Sequence, residues 1–172
     1  TQSITVNTSG VYTVTYTDGS GCSSTSAPIS ITVNANPVAP IVTANGPITF
    51  CDGGSVDLTS DQTTGIVWSS TETTATISVA ASGTFDVTYT DGNGCFATST
   101  QTIVTVNPIP SAPIIMANGP TTFCDGGSVD LSSDQATGNE WSTTETTQTI
   151  TVSAAGSYSV TYVDGNGCSA IS

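Results

Sequence analysis

One stretch of the chain, residues 82–95, reads SGTFDVTYTDGNGC. Phe85, Val87 and Tyr89 alternate with polar residues, which is typical of a β-strand that buries one face. Residues 91–94 follow as Asp-Gly-Asn-Gly, and glycine and asparagine tolerate the positive φ angles of tight turns. The stretch therefore predicts a strand that ends in a tight turn just before Cys95.

The chain repeats itself with a shift of 73 residues. Segment 44–58 returns as segment 117–131 with a single change, and the same shift relates Trp68 to Trp141. It also relates three cysteines, Cys22, Cys95 and Cys168. A fixed period of this kind indicates a tandem array in which each repeat forms one structural unit.

Proline-rich segments 34–40 and 107–113 separate the repeats, and we interpret them as short, stiff linkers. They divide the chain into three parts: residues 1–35, the C-terminal half of a repeat; residues 36–108, a complete repeat; and residues 109–172, a repeat that lacks its last strand. Because the sequence begins and ends within a repeat, we expect the chain to be a piece of a longer one.

The complete repeat contains only short alternating segments separated by glycine or proline, with no helical period. Strands are predicted at 41–43, 55–60, 66–69, 75–79, 84–90 and 98–106. Val56 and Leu58 point inward in the second of these. Each repeat is thus predicted to be an antiparallel β-sandwich, and the whole chain all-β.

Cysteine spacing suggests how so small a unit is stabilised. Domains of about 70 residues bury a small hydrophobic core and are usually stabilised further by disulfides or a bound metal ion. Cys51 and Cys95 are 44 residues apart, and so are Cys124 and Cys168. We predict these two disulfides, each worth roughly 4 kcal/mol, with the partner of Cys22 lying upstream. The alternative pairs Cys22 with Cys51 and Cys95 with Cys124, across the linkers. Either way, disulfides predict an extracellular or cell-surface location.

The charge balance excludes several functions. The chain has 13 Asp and Glu and no Lys, Arg or His, so its net charge is −13. Without cations it offers no phosphate contacts to nucleic acid and no attraction to anionic lipid, and no apolar run approaches the roughly 18 residues of a membrane span. Without histidine or lysine it has no ordinary base to activate a Ser or Thr nucleophile. Glu72 and Glu145 lack the cleft that a glycosidase needs. We expect no enzyme, no nucleic-acid binding and no membrane insertion.

Carboxylate and amide side chains near the cysteines are candidate calcium ligands. If Cys51 and Cys95 are bonded, oxygen atoms of one repeat converge at one pole, and hard cations such as Ca²⁺ prefer such ligands. The candidate residues are Asp52, Asp91 and Asn93, with Asp125, Asp164 and Asn166 in the next repeat. The alternative is that residues 91–94 form only a turn. No other cofactor is predicted.

Trp68 and Trp141 have two interpretations. An exposed indole could stack on a sugar ring, whereas a tryptophan on the third strand of a sandwich is usually its core residue. We predict that both indoles are buried.

Two segments resemble a known family of repeats. Residues 82–95 and residues 50–58, FCDGGSVDL, are similar to the immunoglobulin-like repeats of large secreted surface proteins and gliding adhesins of Bacteroidota. The resemblance implies immunoglobulin-like sandwiches, export by the type IX route and a place outside the outer membrane. Unlike in antibody domains, the cysteines flank the strands, so a bridge is expected at one pole of the sandwich.

The features together predict a structural repeat of an extracellular filament or adhesin shaft, whose partners are copies of itself and, secondarily, surface glycans. The alternatives are an immunoglobulin-like carbohydrate-binding or spacer module of a secreted enzyme, or a surface-layer lattice protein. Residues 1–33 carry an apolar face formed by Ile4, Val6, Tyr12, Val14 and Tyr16. Either upstream sequence or a strand-donating neighbour must cover this face.

Overall fold

The computed structural model describes residues 2–172, and over that range the chain forms nineteen short β-strands and no helix. The strands are β1 Gly10–Tyr12, β2 Thr15–Thr17, β3 Ser23–Thr25, β4 Ile29–Ile31, β5 Val42–Ala44, β6 Thr49–Cys51, β7 Val56–Ser60, β8 Ile66–Trp68, β9 Thr76–Val79, β10 Gly83–Phe85, β11 Val87–Thr90, β12 Phe96–Thr98, β13 Thr102–Asn107, β14 Ile115–Ala117, β15 Val129–Ser133, β16 Asn139–Trp141, β17 Thr149–Val152, β18 Val160–Val163 and β19 Ser169–Ile171. The all-β prediction is confirmed.

A first sandwich is built from β5 to β13. One sheet has the order β5-β7-β9 and a second has the order β8-β11-β12, and both are antiparallel. Their inward side chains form one buried cluster: Val56, Leu58, Ile77 and Val79 from the first sheet, and Ile66, Trp68 and Val87 from the second. The alternation of Val56 and Leu58 inward along β7 is as predicted.

A third sheet in this unit has the order β10-β13-β6. The central strand β13 runs antiparallel to β10 and parallel to β6. Val104 of β13 is 1% exposed and belongs to the same core as Trp68. The last strand of the repeat thus completes the hydrophobic core.

Two predicted strands are each divided in the structure. Segment 84–90 becomes β10 and β11, which belong to different sheets, because the Asp86 N–H between them donates to the Ser69 hydroxyl. Segment 98–106 is likewise interrupted before β13, where the Ser99 hydroxyl accepts the Val87 N–H. Strand β6 at Thr49–Cys51 was not predicted, and it owes its strand conformation to pairing with β13.

A second sandwich contains two sheets, β14-β15-β17 and β16-β18-β19. Their bounds lie 73 residues after those of β5-β7-β9 and β8-β11-β12. The core consists of Val129, Leu131, Trp141, Ile150, Val152 and Val160. No third sheet forms in this unit within the described residues.

The N-terminal segment forms two small antiparallel pairs, β1 with β4 and β2 with β3. As predicted, its apolar face is not covered: Ile4, Val14 and Tyr16 are exposed, and Val6 and Tyr12 are half-buried. Across residues 2–172, no helix is long and apolar enough to cross a membrane.

Candidate functional site

The cysteine bridge joins the two sandwiches. Cys51 is bonded to Cys168, 117 residues further along the chain, with a Cα–Cα distance of 5.6 Å. Among the described residues Cys22, Cys95 and Cys124 are free. The predicted pairs Cys51–Cys95 and Cys124–Cys168 are therefore wrong, and so is the alternative pairing across the linkers.

The positions of the cysteines in the fold explain this difference. Cys51 ends β6 and lies opposite Asn107, the last residue of β13, from which the linker leads into the second sandwich. Cys95 lies elsewhere: its Sγ atom is 4.0 Å from the carbonyl oxygen of Asn34, in the preceding linker. Cys51 thus stands where the first repeat ends and Cys95 where it begins. The spacing of 44 residues does not bring them together.

A turn that contains an aspartate precedes each of the three cysteines that follow a glycine, and the aspartate fixes the backbone of that turn. In all three copies the aspartate Oδ1 accepts the N–H of the residue two positions on and the N–H of the cysteine four positions on, at 2.9–3.0 Å. The aspartates are Asp18, Asp91 and Asp164, and the cysteines are Cys22, Cys95 and Cys168. The turn therefore determines where Cys168 presents its sulfur to Cys51.

The pKa of the aspartate in the first of these turns is consistent with the hydrogen bonds that it accepts. The backbone N–H of Cys22, followed by that of Ser20, lowers the pKa of the Asp18 carboxyl below its ordinary value. Hydrogen bonds of this kind favour the ionised form of a carboxyl group.

The predicted calcium ligands have other partners in the structure. Asp91 and Asp164 accept the backbone N–H groups of Asn93 and Asn166 in their turns, and Asp52 accepts the N–H of Gly53 at 3.0 Å. Asp125 is exposed. The Cys51–Cys95 bond that would gather Asp52 and Asp91 is not formed. Within residues 2–172 no cluster of three or more acidic, histidine or cysteine side chains could hold a metal ion.

Both tryptophans are core residues, as predicted. Trp68 and Trp141 are each 2% exposed. Their Nε1–H groups donate to the carbonyl oxygens of Thr74 at 2.9 Å and Thr147 at 2.8 Å. A buried indole with its polar atom satisfied cannot form a sugar-stacking platform.

The two glutamates considered as glycosidase carboxylates lie in equivalent turns. The carbonyl oxygen of Glu72 accepts the Trp68 N–H, and that of Glu145 accepts the Trp141 N–H. The Ser70 hydroxyl and the residue's own N–H lower the pKa of Glu72, which favours a carboxylate at neutral pH.

The second sandwich carries an open groove of about 520 Å³. One rim is formed by residues 121–125 and the other by residues 152–156 with Tyr158, and the lining also includes Val129 and Leu131 of the core. With the shift of 73 residues, segments 122–124 and 156–158 correspond to β6 and β10 of the first sandwich, between which β13 lies. The groove therefore occupies the position of a β-strand.

The N-terminal segment carries a second apolar groove of about 300 Å³. It is lined mainly by Ile4, Val6, Tyr12, Val14, Ile29 and Ile31. In the first sandwich the residues equivalent to Ile4, Val6 and Val14, which are Ile77, Val79 and Val87, share a core with β7 and β8, and neither of these strands has a counterpart among residues 2–33.

Sequence reasoning found the cysteines but missed the bond between repeats. A signal for the bond was available in the period itself. Cys95 lies 44 residues after Cys51, and its equivalent one period of 73 residues further on is Cys168. This gives the separation of 117 residues that is observed between the bonded cysteines.

No protein-family model matches the chain, and no curated protein sequence matches it. Among the solved structures that match is the human OSCAR ligand-binding domain, with a TM-score of 0.35 and 13% sequence identity, over 80% of this chain and 96% of that one. The geometry defines an all-β protein whose two sandwiches are joined by a disulfide.

Proposed function

We propose that the chain is a structural segment of an extracellular filament or adhesin shaft and performs no enzymatic chemistry. The observation that supports this best is the Cys51–Cys168 disulfide, which joins the segment containing the first core to the segment containing the second. A covalent bond between successive units prevents a pulling force from separating them.

The disulfide changes the path that a pulling force takes. Tension applied at the two ends of the chain passes from Cys51 through the two sulfur atoms to Cys168. Residues 52–167, with both hydrophobic cores, lie outside that path. The two cysteines are separated by 117 positions in the sequence, so the bond keeps about 400 Å of extended chain from being stretched.

Charge and location suit the same role. A net charge of −13 with no cation keeps neighbouring shafts apart, because like charges repel. A disulfide persists in an oxidising compartment, which for this protein is the cell exterior. The absence of Lys and Arg leaves no trypsin-type cleavage site on an exposed fibre.

Single-molecule stretching tests the proposal. The oxidised chain, held by its ends, should release only the residues outside 51–168, whereas the chain in reductant should release about 400 Å more. The double variant Cys51→Ser/Cys168→Ser should behave like the reduced chain, and Cys22→Ser should behave like the oxidised one. Equal extension of the oxidised and reduced chains would refute a mechanical role for the bond.

The alternative of a carbohydrate-binding module is less well supported, because both indoles that would contact a glycan are buried. Calcium binding and glycan contacts are not needed for the proposed role.

A further inference from the structure

The two sandwiches are joined by linker 107–113 and by the Cys51–Cys168 disulfide. The first core draws its residues from positions 42–106 and the second from positions 115–160, so neither core crosses the linker. Among residues 2–172, no strand pairing and no other backbone–backbone hydrogen bond connects the chain before the linker to the chain after it. Each sandwich therefore keeps its own core and its own strand pairing if the linker is cut.

The backbone of the linker is open to a protease. Residues 108–113 belong to no strand and form no backbone–backbone hydrogen bond. Proteolytic nicking concentrates in exposed segments whose backbone is not held by hydrogen bonds, because such a segment can extend into an active site at little cost. The exposed residues of the linker are Pro108, Ile109, Ser111 and Ala112.

The linker sequence selects the class of protease. It reads NPIPSAP, so that three of its six peptide bonds precede a proline and two follow one. A bond before proline fits few active sites, because proline has no N–H and a fixed φ. Of the two bonds after proline, Pro108–Ile109 is followed by Pro110, which cannot donate a backbone hydrogen bond to an enzyme. Pro110–Ser111 is followed by Ser111 and Ala112, which can, and both are exposed.

The disulfide spans this bond. Cys51 precedes the linker and Cys168 follows it, so a cut between them leaves the two pieces covalently joined. Cys168 is 0% exposed and Cys51 is half-buried, which limits the attack of an external thiol on either sulfur. Tension applied at the chain ends already passes through the two sulfur atoms, and the linker lies outside that path.

We propose that Pro110–Ser111 is a cleavage site for a post-proline endopeptidase, and that the Cys51–Cys168 disulfide keeps the shaft continuous after the cut. In the cleavage, one water molecule adds across the peptide bond and leaves a carboxylate on Pro110 and an amino group on Ser111. The disulfide is unchanged. The proposal rests on the structural role proposed above and deepens it, because the bond then protects the shaft against proteolysis as well as against tension.

Trypsin gives a first test, because the chain has no Lys or Arg and hence no site for it. The substitution Ser111→Lys introduces a single site in the linker. Trypsin should cut this folded variant into two fragments that migrate together on a denaturing gel without reductant and separately with it. In the background Cys51→Ser/Cys168→Ser the fragments should separate without reductant. A variant that resists trypsin, or Ser111→Lys fragments that separate without reductant, would overturn the proposal.

Two further lysine variants are the controls. Val67 is 50% exposed but lies on β8, paired with β11, so Val67→Lys should be cut at least tenfold more slowly than Ser111→Lys. Val38 is 88% exposed in linker 34–40, which the Cys51–Cys168 bond does not span. Val38→Lys should be cut readily and should release residues 1–38 without reductant. Equal rates for Val67→Lys and Ser111→Lys would contradict selective cleavage of the linker.

A prolyl endopeptidase that accepts whole proteins tests the class of enzyme. Digestion of the oxidised wild-type chain should create a new N-terminus at Ser111, identified by sequencing after reduction, and Pro110→Ala should reduce it at least tenfold. A digest without this N-terminus would overturn the proposal.

Stretching connects the cut to the mechanical role. The oxidised Ser111→Lys chain, cut by trypsin and held by its ends, should extend as far as the uncut oxidised chain and should part only in reductant. Parting without reductant would overturn the proposal. An uncut linker would count against this inference alone, whereas equal extension of the uncut chain with and without reductant would count against the structural role.

Discussion

Cys51 lies opposite Asn107 in the parallel pairing of β6 with β13, and its sulfur is bonded to Cys168 of the next sandwich. The last strand of one repeat and the disulfide to the following repeat therefore meet at one place. A covalent bond at this junction keeps the two repeats from separating.

Removing this bond should lower the stability of the whole chain. The double variant Cys51→Ser/Cys168→Ser frees a loop of 117 residues in the unfolded state and should lose roughly 4–5 kcal/mol of unfolding free energy. Urea unfolding followed by tryptophan fluorescence measures it. Cys22→Ser is the matched control and should unfold like wild type. Reductant should have the same effect on wild type as the double substitution, and no effect on the variant.

The buried amide of Asn139 should be a weak point of the second core. Asn139 is 3% exposed, and its Nδ2 donates to the Gln135 carbonyl at 2.9 Å, but no partner for its Oδ1 exists in the described chain. The first core has Ile66 at this place. We expect Asn139→Ile to stabilise the protein by roughly 1–3 kcal/mol, because an unsatisfied buried acceptor is removed.

The reciprocal change Ile66→Asn is the control for that prediction. It should destabilise the first sandwich by roughly 2–4 kcal/mol. Thermal unfolding of both variants gives the comparison, and a destabilised Asn139→Ile would mean that the amide makes a needed hydrogen bond to water.

The sequence was sufficient for those features that depend on local pattern. Alternation placed Val56 and Leu58 inward, and the position of Trp68 on a short strand predicted its burial, because side-chain direction along a strand follows a period of two. The break at Asp86 was not predictable, because it depends on a hydrogen bond to Ser69, a residue distant in sequence that follows β8. The partner of Cys51 was missed for a similar reason: spacing reveals the period, while the end of the sandwich at which each cysteine lies is a property of the fold.

The turn before Cys95 should depend on Asp91 as a hydrogen-bond acceptor. Its Oδ1 accepts the N–H groups of Asn93 and Cys95, both at 2.9 Å. Asp91→Ala should cost roughly 1–3 kcal/mol of unfolding free energy, whereas Asp91→Asn keeps an acceptor oxygen and should cost less.

A chelator should leave the melting temperature of wild type unchanged. A fall in that temperature with chelator, restored by Ca²⁺, would instead establish the cation site.

Acid should weaken the corresponding turn at Asp18. The N–H groups of Cys22 and Ser20 hold the pKa of this carboxyl below its ordinary value. Because the folded pKa is the lower one, the stabilisation is fully present above the ordinary aspartate pKa and is lost as the pH falls through the folded pKa. Carboxyl titration by NMR should place the Asp18 midpoint below that of an aspartate in an unstructured peptide. Asp18→Asn should remove this part of the pH dependence, and an ordinary midpoint for Asp18 would contradict the turn geometry.

Gly65 should not tolerate a side chain. Its φ is +68°, and a Cβ at this position would lie 2.6 Å from the carbonyl oxygen of Thr90, which belongs to β11. The Thr90 N–H donates to the Gly65 carbonyl at 2.8 Å, so the two segments cannot separate without losing that bond. Gly65→Ala should therefore destabilise the first sandwich by at least about 2 kcal/mol. Gly92→Ala places its Cβ where no atom lies within 4 Å and is the matched control. Equal melting temperatures for the two variants would show that β8 and β11 can move apart at this end, and the close approach of Gly65 to Thr90 would then not constrain the fold.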